Sequence, residues 1–179
     1  MRGSIDPSFT YGSALRPYSE LAIARVFAAL PGYHRSFCSC NTAFRQSAGA
    51  GDRWCGACAK CRFVALMLAP YLSRRRVTDI IGRDLFADPA ETAGFAALMS
   101  REDKPFECVG ERRESAAAFR LLADQPEWKE SPVVMALADR ARGLVSDQDV
   151  AWLLAPATDL AFPDPDVAAA VDRFFARVS

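Results

Sequence analysis

Histidine is nearly absent from this sequence of 179 residues: there is one, His34. A Ser–His or Cys–His nucleophilic pair would have to use that single side chain, which weakens such chemistry as a reading. Long apolar runs are also missing. The longest, residues 63–69, stops at Pro70, far short of the roughly 18 residues that a membrane span needs. No signal peptide opens the chain, so a cytoplasmic protein without membrane contact is predicted. No two glycines are adjacent, and the formal net charge is zero. With 51% hydrophobic and 25% charged residues, disorder, collagen and coiled coil are excluded, and one soluble globular unit is expected.

The zero net charge hides a segregation. Residues 1–76 hold 11 Lys/Arg against 3 Asp/Glu, whereas residues 77–179 hold 11 against 19. Either the two halves pack on each other, or the basic half faces a polyanion such as a nucleotide. Arg74, Arg75 and Arg76 are the candidate phosphate-facing cluster. The bland alternative is a solvated helix C-terminus, where cations are favoured by the dipole.

Residues 1–17 are rich in Gly, Ser and Pro, lack periodicity, and read as a leader or ragged start. A cysteine-rich segment with helices is expected over 18–76 and an acidic helical segment over 77–179. Ser19 is a good N-cap, and Ile23, Phe27 and Leu30 follow at helical spacing until Pro31-Gly32. A polar loop then precedes a buried helix over 62–72. Further helices are predicted over 77–81, from Asp88-Pro89 to 99, and over 111–123, 132–144, 146–154 and 165–178, most opened by Ser, Asp or Pro. The fold class is mostly α, with no internal repeat.

Six cysteines in a reducing compartment point to metal or thiol chemistry in preference to disulfides. Cys40, Cys55, Cys58 and Cys61 have the spacing C-x14-C-x2-C-x2-C. A C-x2-C turn sets two sulfurs about 3.7 Å apart around one ion, and Gly56 eases the tight backbone. Four thiolates close a structural zinc site that holds the fold and activates no water. A redox dithiol and an iron–sulfur cluster remain open. Cys38 could replace Cys40 as the fourth ligand, and His34 is the other soft ligand nearby.

Cys108 stands apart, in Pro105-Phe106-Glu107-Cys108-Val109-Gly110-Glu111. It reads either as a small buried hydrophobe or as a thiol beside two carboxylates, Glu107 and Glu111, at a glycine turn where a proton could be moved.

At these residues the sequence resembles a known family. Ser39-Cys40-Asn41, Arg53-Trp54-Cys55-Gly56, Cys58-Ala59-Lys60-Cys61-Arg62-Phe63-Val64, Leu68-Ala69-Pro70 and the 105–111 segment resemble the C-terminal part of the bacterial UDP-N-acetyl-muramoyl-L-alanyl-L-glutamate epimerases. The cysteine run is also similar to the zinc site of 7-cyano-7-deazaguanine synthase, an ATP pyrophosphatase-type protein. The resemblance implies the C-terminal part of an ATP pyrophosphatase-like α/β enzyme with a four-cysteine zinc-binding loop and a helical tail. It implies inversion of the terminal L-glutamate of UDP-MurNAc-L-Ala-L-Glu to the D form in peptidoglycan precursor synthesis. ATP and Mg are implied for the whole enzyme, activating the carboxylate and so acidifying the α-hydrogen.

One departure matters. The Ser-Gly-Gly-x-Asp-Ser nucleotide loop is absent, and Gly49-Ala50-Gly51-Asp52 follows no apolar strand. The chain is therefore expected to be a truncated piece that does not bind ATP alone and is inactive without an N-terminal half. On this reading Cys108, Glu107 and Glu111 are the catalytic candidates, Arg74, Arg75 and Arg76 contact substrate, and Cys40, Cys55, Cys58 and Cys61 bind metal. The competing class is a free-standing zinc module for nucleic acid or a protein partner. It is favoured by Arg45, Arg53, Lys60 and Arg62 with Phe44 and Trp54, and disfavoured by the neutral total and the acidic half.

Overall fold

The computed structural model describes residues 11–43, 53–106, 109–160, 162 and 164–178. Eight α-helices and no strand are found among the described residues. They are α1 (Glu20–Ala28), α2 (Ala59–Leu68), α3 (Arg74–Ile81), α4 (Thr92–Leu98), α5 (Arg112–Ala123), α6 (Pro132–Leu144), α7 (Asp147–Leu154) and α8 (Pro165–Val178).

Local chemistry sets most of these boundaries. The Ser19 hydroxyl accepts from the Ala22 N–H and starts α1; Ser146 accepts from the Asp149 N–H and starts α7. The Asp164 carboxylate accepts from the N–H groups of Asp166 and Val167 at the start of α8. Asp88 caps a short 3-10 turn, Pro89–Glu91, that leads into α4. Two helices begin earlier than the apolar pattern predicts. α2 starts at Ala59, so Cys61 already lies in its first turn. α3 starts at Arg74, because the Ser73 hydroxyl accepts from the Arg76 N–H and caps it. The arginine run therefore opens a helix at its positive end, where cations are disfavoured, in place of closing one.

α2 is the central element, packed against α1, α3, α4 and α5, while α5 lies along α6. Its apolar set, Phe63, Ala65, Leu66, Met67 and Leu68, is buried almost completely. An aromatic chain runs Phe119–Phe95–Phe86–Trp128, with ring centroids 5.7, 4.9 and 4.8 Å apart. The two outer pairs are edge-to-face and the Phe95–Phe86 pair is tilted by 30°. α8 is tied more loosely: Tyr18 stacks on Phe175 at 3.7 Å, and its hydroxyl donates to Asp172. Burial and that neighbouring carboxylate push the Tyr18 phenol up to about 12.

The charge segregation is partly consumed inside the molecule. Glu91 is buried and accepts from Arg62 Nε at 2.6 Å and from an Arg83 terminal nitrogen at 2.5 Å. Gly94 leaves room for this pair, since a Cβ there would collide with the Arg62 guanidinium. Arg74 pairs with Asp84 at 2.5 Å and lies over the Trp128 ring. Both Arg62 and Arg74 thus spend their charge on the acidic half. No helix among the described residues is long and apolar enough to cross a membrane.

Candidate metal centre and basic cleft

Cys40 arrives from the loop after α1, Cys55 and Cys58 flank a turn, and Cys61 sits on α2. The turn needs Gly56, whose φ of 64° is in the left-handed region that favours glycine. A Cβ there would also press on the Arg83 side chain, at 3.0 Å. The four Sγ atoms lie within 4.8 Å of one another. Individual separations are 3.9 Å for Cys40–Cys58, 3.7 Å for Cys55–Cys61 and 3.5 Å for Cys58–Cys61. Thiolates about 2.3 Å from a shared tetrahedral ion would be roughly 3.8 Å apart. The four cysteines could therefore hold a metal ion with little movement.

The electrostatics of the donor set agree. Burial pushes the Cys58 and Cys61 thiols up, and for Cys61 the neighbouring Cys58 sulfur adds to the rise. Burial also acts on Cys55, but the N–H groups of Ala57 and Cys58 and the Thr42 side chain outweigh it and lower that thiol to about 6. Four thiolates packed this closely need a cation among them. Cys38 faces elsewhere: its thiol donates to the Arg53 carbonyl at 2.5 Å.

His34 is buried away from the sulfur cluster, and its two ring nitrogens have separate partners. Nδ1 accepts from Arg76 Nε at 3.1 Å, so Nε2 carries the hydrogen and donates to the Phe27 carbonyl at 3.0 Å. The histidine anchors an arginine to the end of α1. Trp54 is buried as well, edge-on to Phe37 at 5.0 Å, with Phe37 against Phe27 at 4.7 Å, so its ring is not a free stacking platform.

Beside this aromatic wall lies a cleft of about 530 Å³ lined by His34, Arg35, Arg53, Arg75, Arg76 and Asp79, among others. Of the three consecutive arginines, Arg75 and Arg76 face it, while Arg74 is held by Asp84. Arg35 and Arg53 join them from distant parts of the chain. Sequence spacing does not announce that pairing.

Glu107 and Cys108 lie outside the described residues, as do Phe44 and Arg45. Glu111 is exposed at the start of α5, where its N–H donates to Glu114 Oε2 at 2.8 Å. Gly110 is closed from within: a Cβ there would collide with the Phe63 ring and meet Glu114 at 2.6 Å. Its missing side chain makes room for the protein's own residues. Glu114 is buried and also accepts from the Glu20 N–H at 2.7 Å, joining the starts of α1 and α5.

Comparison with known proteins bears on the same stretch. The chain is 51% identical over 138 residues to the UDP-N-acetyl-alpha-D-muramoyl-L-alanyl-L-glutamate epimerase of Salinispora tropica, covering 76% of this chain and 29% of that protein. Proteins of the same name from a Micromonospora strain and from Xanthomonas oryzae pv. oryzae are 45% and 49% identical over 154 and 126 residues. These matches cover 86% and 69% of this chain but 33% and 28% of the relatives, so the chain spans about a third of their length. No solved structure matches it. The profile of the MurL C-terminal domain matches residues 36–151, a stretch that includes all four clustered cysteines, and the chain belongs to that family.

Proposed function

We infer that this chain is the zinc-stabilised C-terminal portion of an ATP-dependent epimerase that converts UDP-MurNAc-L-Ala-L-Glu to UDP-MurNAc-L-Ala-D-Glu. The observation that carries this reading is the family match over residues 36–151, which contain the four clustered cysteines, beside 45–51% identity to three epimerases. Cys40, Cys55, Cys58 and Cys61 would hold zinc, chosen over iron because a closed set of four thiolates around one tetrahedral ion is its usual structural site. With no open position, the ion would fix the loop and leave the chemistry to side chains.

ATP would activate the glutamate carboxylate and so make the α-hydrogen easier to remove. The described residues contain no strand leading into a glycine-rich phosphate loop, so no step involving ATP is assigned to them. What this chain would contribute is a fixed platform: α2 carries a cysteine at its start and Phe63 against Gly110, ahead of the 105–111 segment. Glu107, Cys108 and Glu111 are the proposed proton-transfer residues, since inversion needs a base on one face of the α-carbon and an acid on the other.

Chiral analysis of glutamate released after incubation with UDP-MurNAc-L-Ala-L-Glu and ATP tests this reading. The chain alone should leave L-glutamate unchanged, and the chain combined with the remaining two-thirds of a relative should give D-glutamate. Inversion by the chain alone contradicts its role as a portion, and no inversion in the combination contradicts the epimerase assignment.

A further inference from the structure

We propose that the arginine cleft beside the cysteine cluster is a binding site for the diphosphate group of a nucleoside diphosphate. Four arginines, Arg35, Arg53, Arg75 and Arg76, line it together with one acidic residue, Asp79. The side chains of Arg35, Arg53 and Arg75 have neither an ion pair nor a hydrogen bond among the described residues. Gathering like charges in a concave site costs free energy in the empty protein and focuses the potential on an anion that enters. A single carboxylate ligand would leave most of that charge uncompensated, whereas a diphosphate matches it and suits the planar donor fork of arginine.

The helix adds to this field. Arg75 and Arg76 lie in the first turn of the eight-residue α3, where the macrodipole is positive and further cations are unfavourable. Nearby acidic groups relieve only the neighbouring position: Asp84 pairs with the Arg74 side chain, and Glu127 accepts from its N–H at 2.7 Å. Arg75 and Arg76 keep their charge for the cleft, while the N–H groups of Arg74 and Arg76 at this helix end are taken by Glu127 and Ser73.

Arginines on an open surface would wander, but the Arg76 guanidinium is held. Arg76 donates to His34 Nδ1 at 3.1 Å and to the Pro31 carbonyl at 3.3 Å, and the histidine itself is buried and anchored to α1. The Arg53 backbone is held by the Cys38 thiol and lies two residues before Cys55. The lone histidine thus becomes a positioning residue for the Arg76 guanidinium, while the Cys38 thiol fixes the Arg53 backbone only. A volume of about 530 Å³ is of the order that nucleotide-sized ligands occupy and exceeds what a lone phosphate requires.

The diphosphate chemistry stands on the cleft alone; that the natural source is a UDP-linked substrate rests on the epimerase reading above. Titration calorimetry on the zinc-loaded chain with inorganic pyrophosphate, UDP, ATP and a short single-stranded DNA tests both parts. Pyrophosphate and UDP should bind, more weakly as salt is raised, and Arg53→Gln and Arg75→Gln should each reduce UDP affinity by about tenfold or more. Both side chains are exposed, so zinc content and circular dichroism should match the parent. Arg120→Gln, on α5 and paired with Asp147, should bind as the parent does. Tighter binding of ATP than of UDP, with the same arginine dependence, would keep the diphosphate site and reassign its source to ATP. UDP binding unaffected by either cleft substitution, or DNA binding that pyrophosphate does not displace, would overturn the proposal. If UDP binds but the combined enzyme yields no D-glutamate, the epimerase reading fails and the cleft stands. If the enzyme inverts and both variants keep the parental KM for the UDP-linked dipeptide, the cleft fails and the reading stands.

Discussion

Glu91 is a buried residue at which two halves of opposite charge meet. It is 6% exposed and serves two arginines, one on α2 beside the cysteines and one just after α3. Removing one member of a buried pair leaves the other charges desolvated without compensation. Arg83 is the more exposed partner, which softens the loss. Glu91→Gln should lower unfolding free energy by about 2 kcal/mol in urea titrations. The i,i+3 pair of Asp139 and Arg142 is a control, since Asp139 is fully solvated and its replacement by Asn should leave the midpoint essentially where it was. Equal effects at the two positions would show that Glu91 does not bridge the halves. At the same scale, Cys38 and Cys40 differ by two positions in sequence and entirely in surroundings, one thiol on the Arg53 carbonyl and the other among sulfurs.

The junction of α1 and α5 depends on Glu114. Its two oxygens accept from the N–H groups of Glu20 and Glu111, yet burial, the larger influence, raises its pKa above the usual 4.5. A carboxyl with a raised folded pKa binds its proton more tightly when folded. Stability from this group is therefore greatest below the unfolded value near 4.5 and declines as pH rises toward the raised folded value. Urea midpoints taken from pH 4.5 upward should carry this declining contribution in the parent and lack it in Glu114→Gln. The variant should also lose about 1 kcal/mol, because an amide nitrogen cannot accept from a backbone N–H. Parallel pH curves for the two proteins would refute the assignment.

Helices were the most legible feature of the sequence, for a physical reason. Ser19, Ser146 and the Asp-Pro pairs act through neighbours two or three residues away, and such chemistry can be read along the chain. The cysteine spacing was legible in the same way, because three of the four sulfurs share one turn and the helix start after it. The arginine run was harder. Ser73 caps α3, but three cations in a first turn oppose the dipole, so propensity pointed to a helix end where a helix begins. The cleft was not legible: Arg35 and Arg53 meet Arg75 and Arg76 only after long-range closure, and nothing in their immediate sequence marks it.

For the whole molecule, Cys55 directly follows Arg53 and Trp54, which belong to the basic cleft and the aromatic wall, and Cys61 lies on α2, so a metal on these cysteines would tie all three together. A structural metal's binding free energy is folding free energy. Zinc content per purified chain, measured for the parent, Cys38→Ser and Cys40→Ser, tests this most directly. The account predicts about one zinc in the parent and in Cys38→Ser, and its loss from Cys40→Ser together with the first half's resistance to unfolding. Metal-free parent protein, iron with a visible absorption band, or zinc that survives Cys40→Ser but not Cys38→Ser would contradict it.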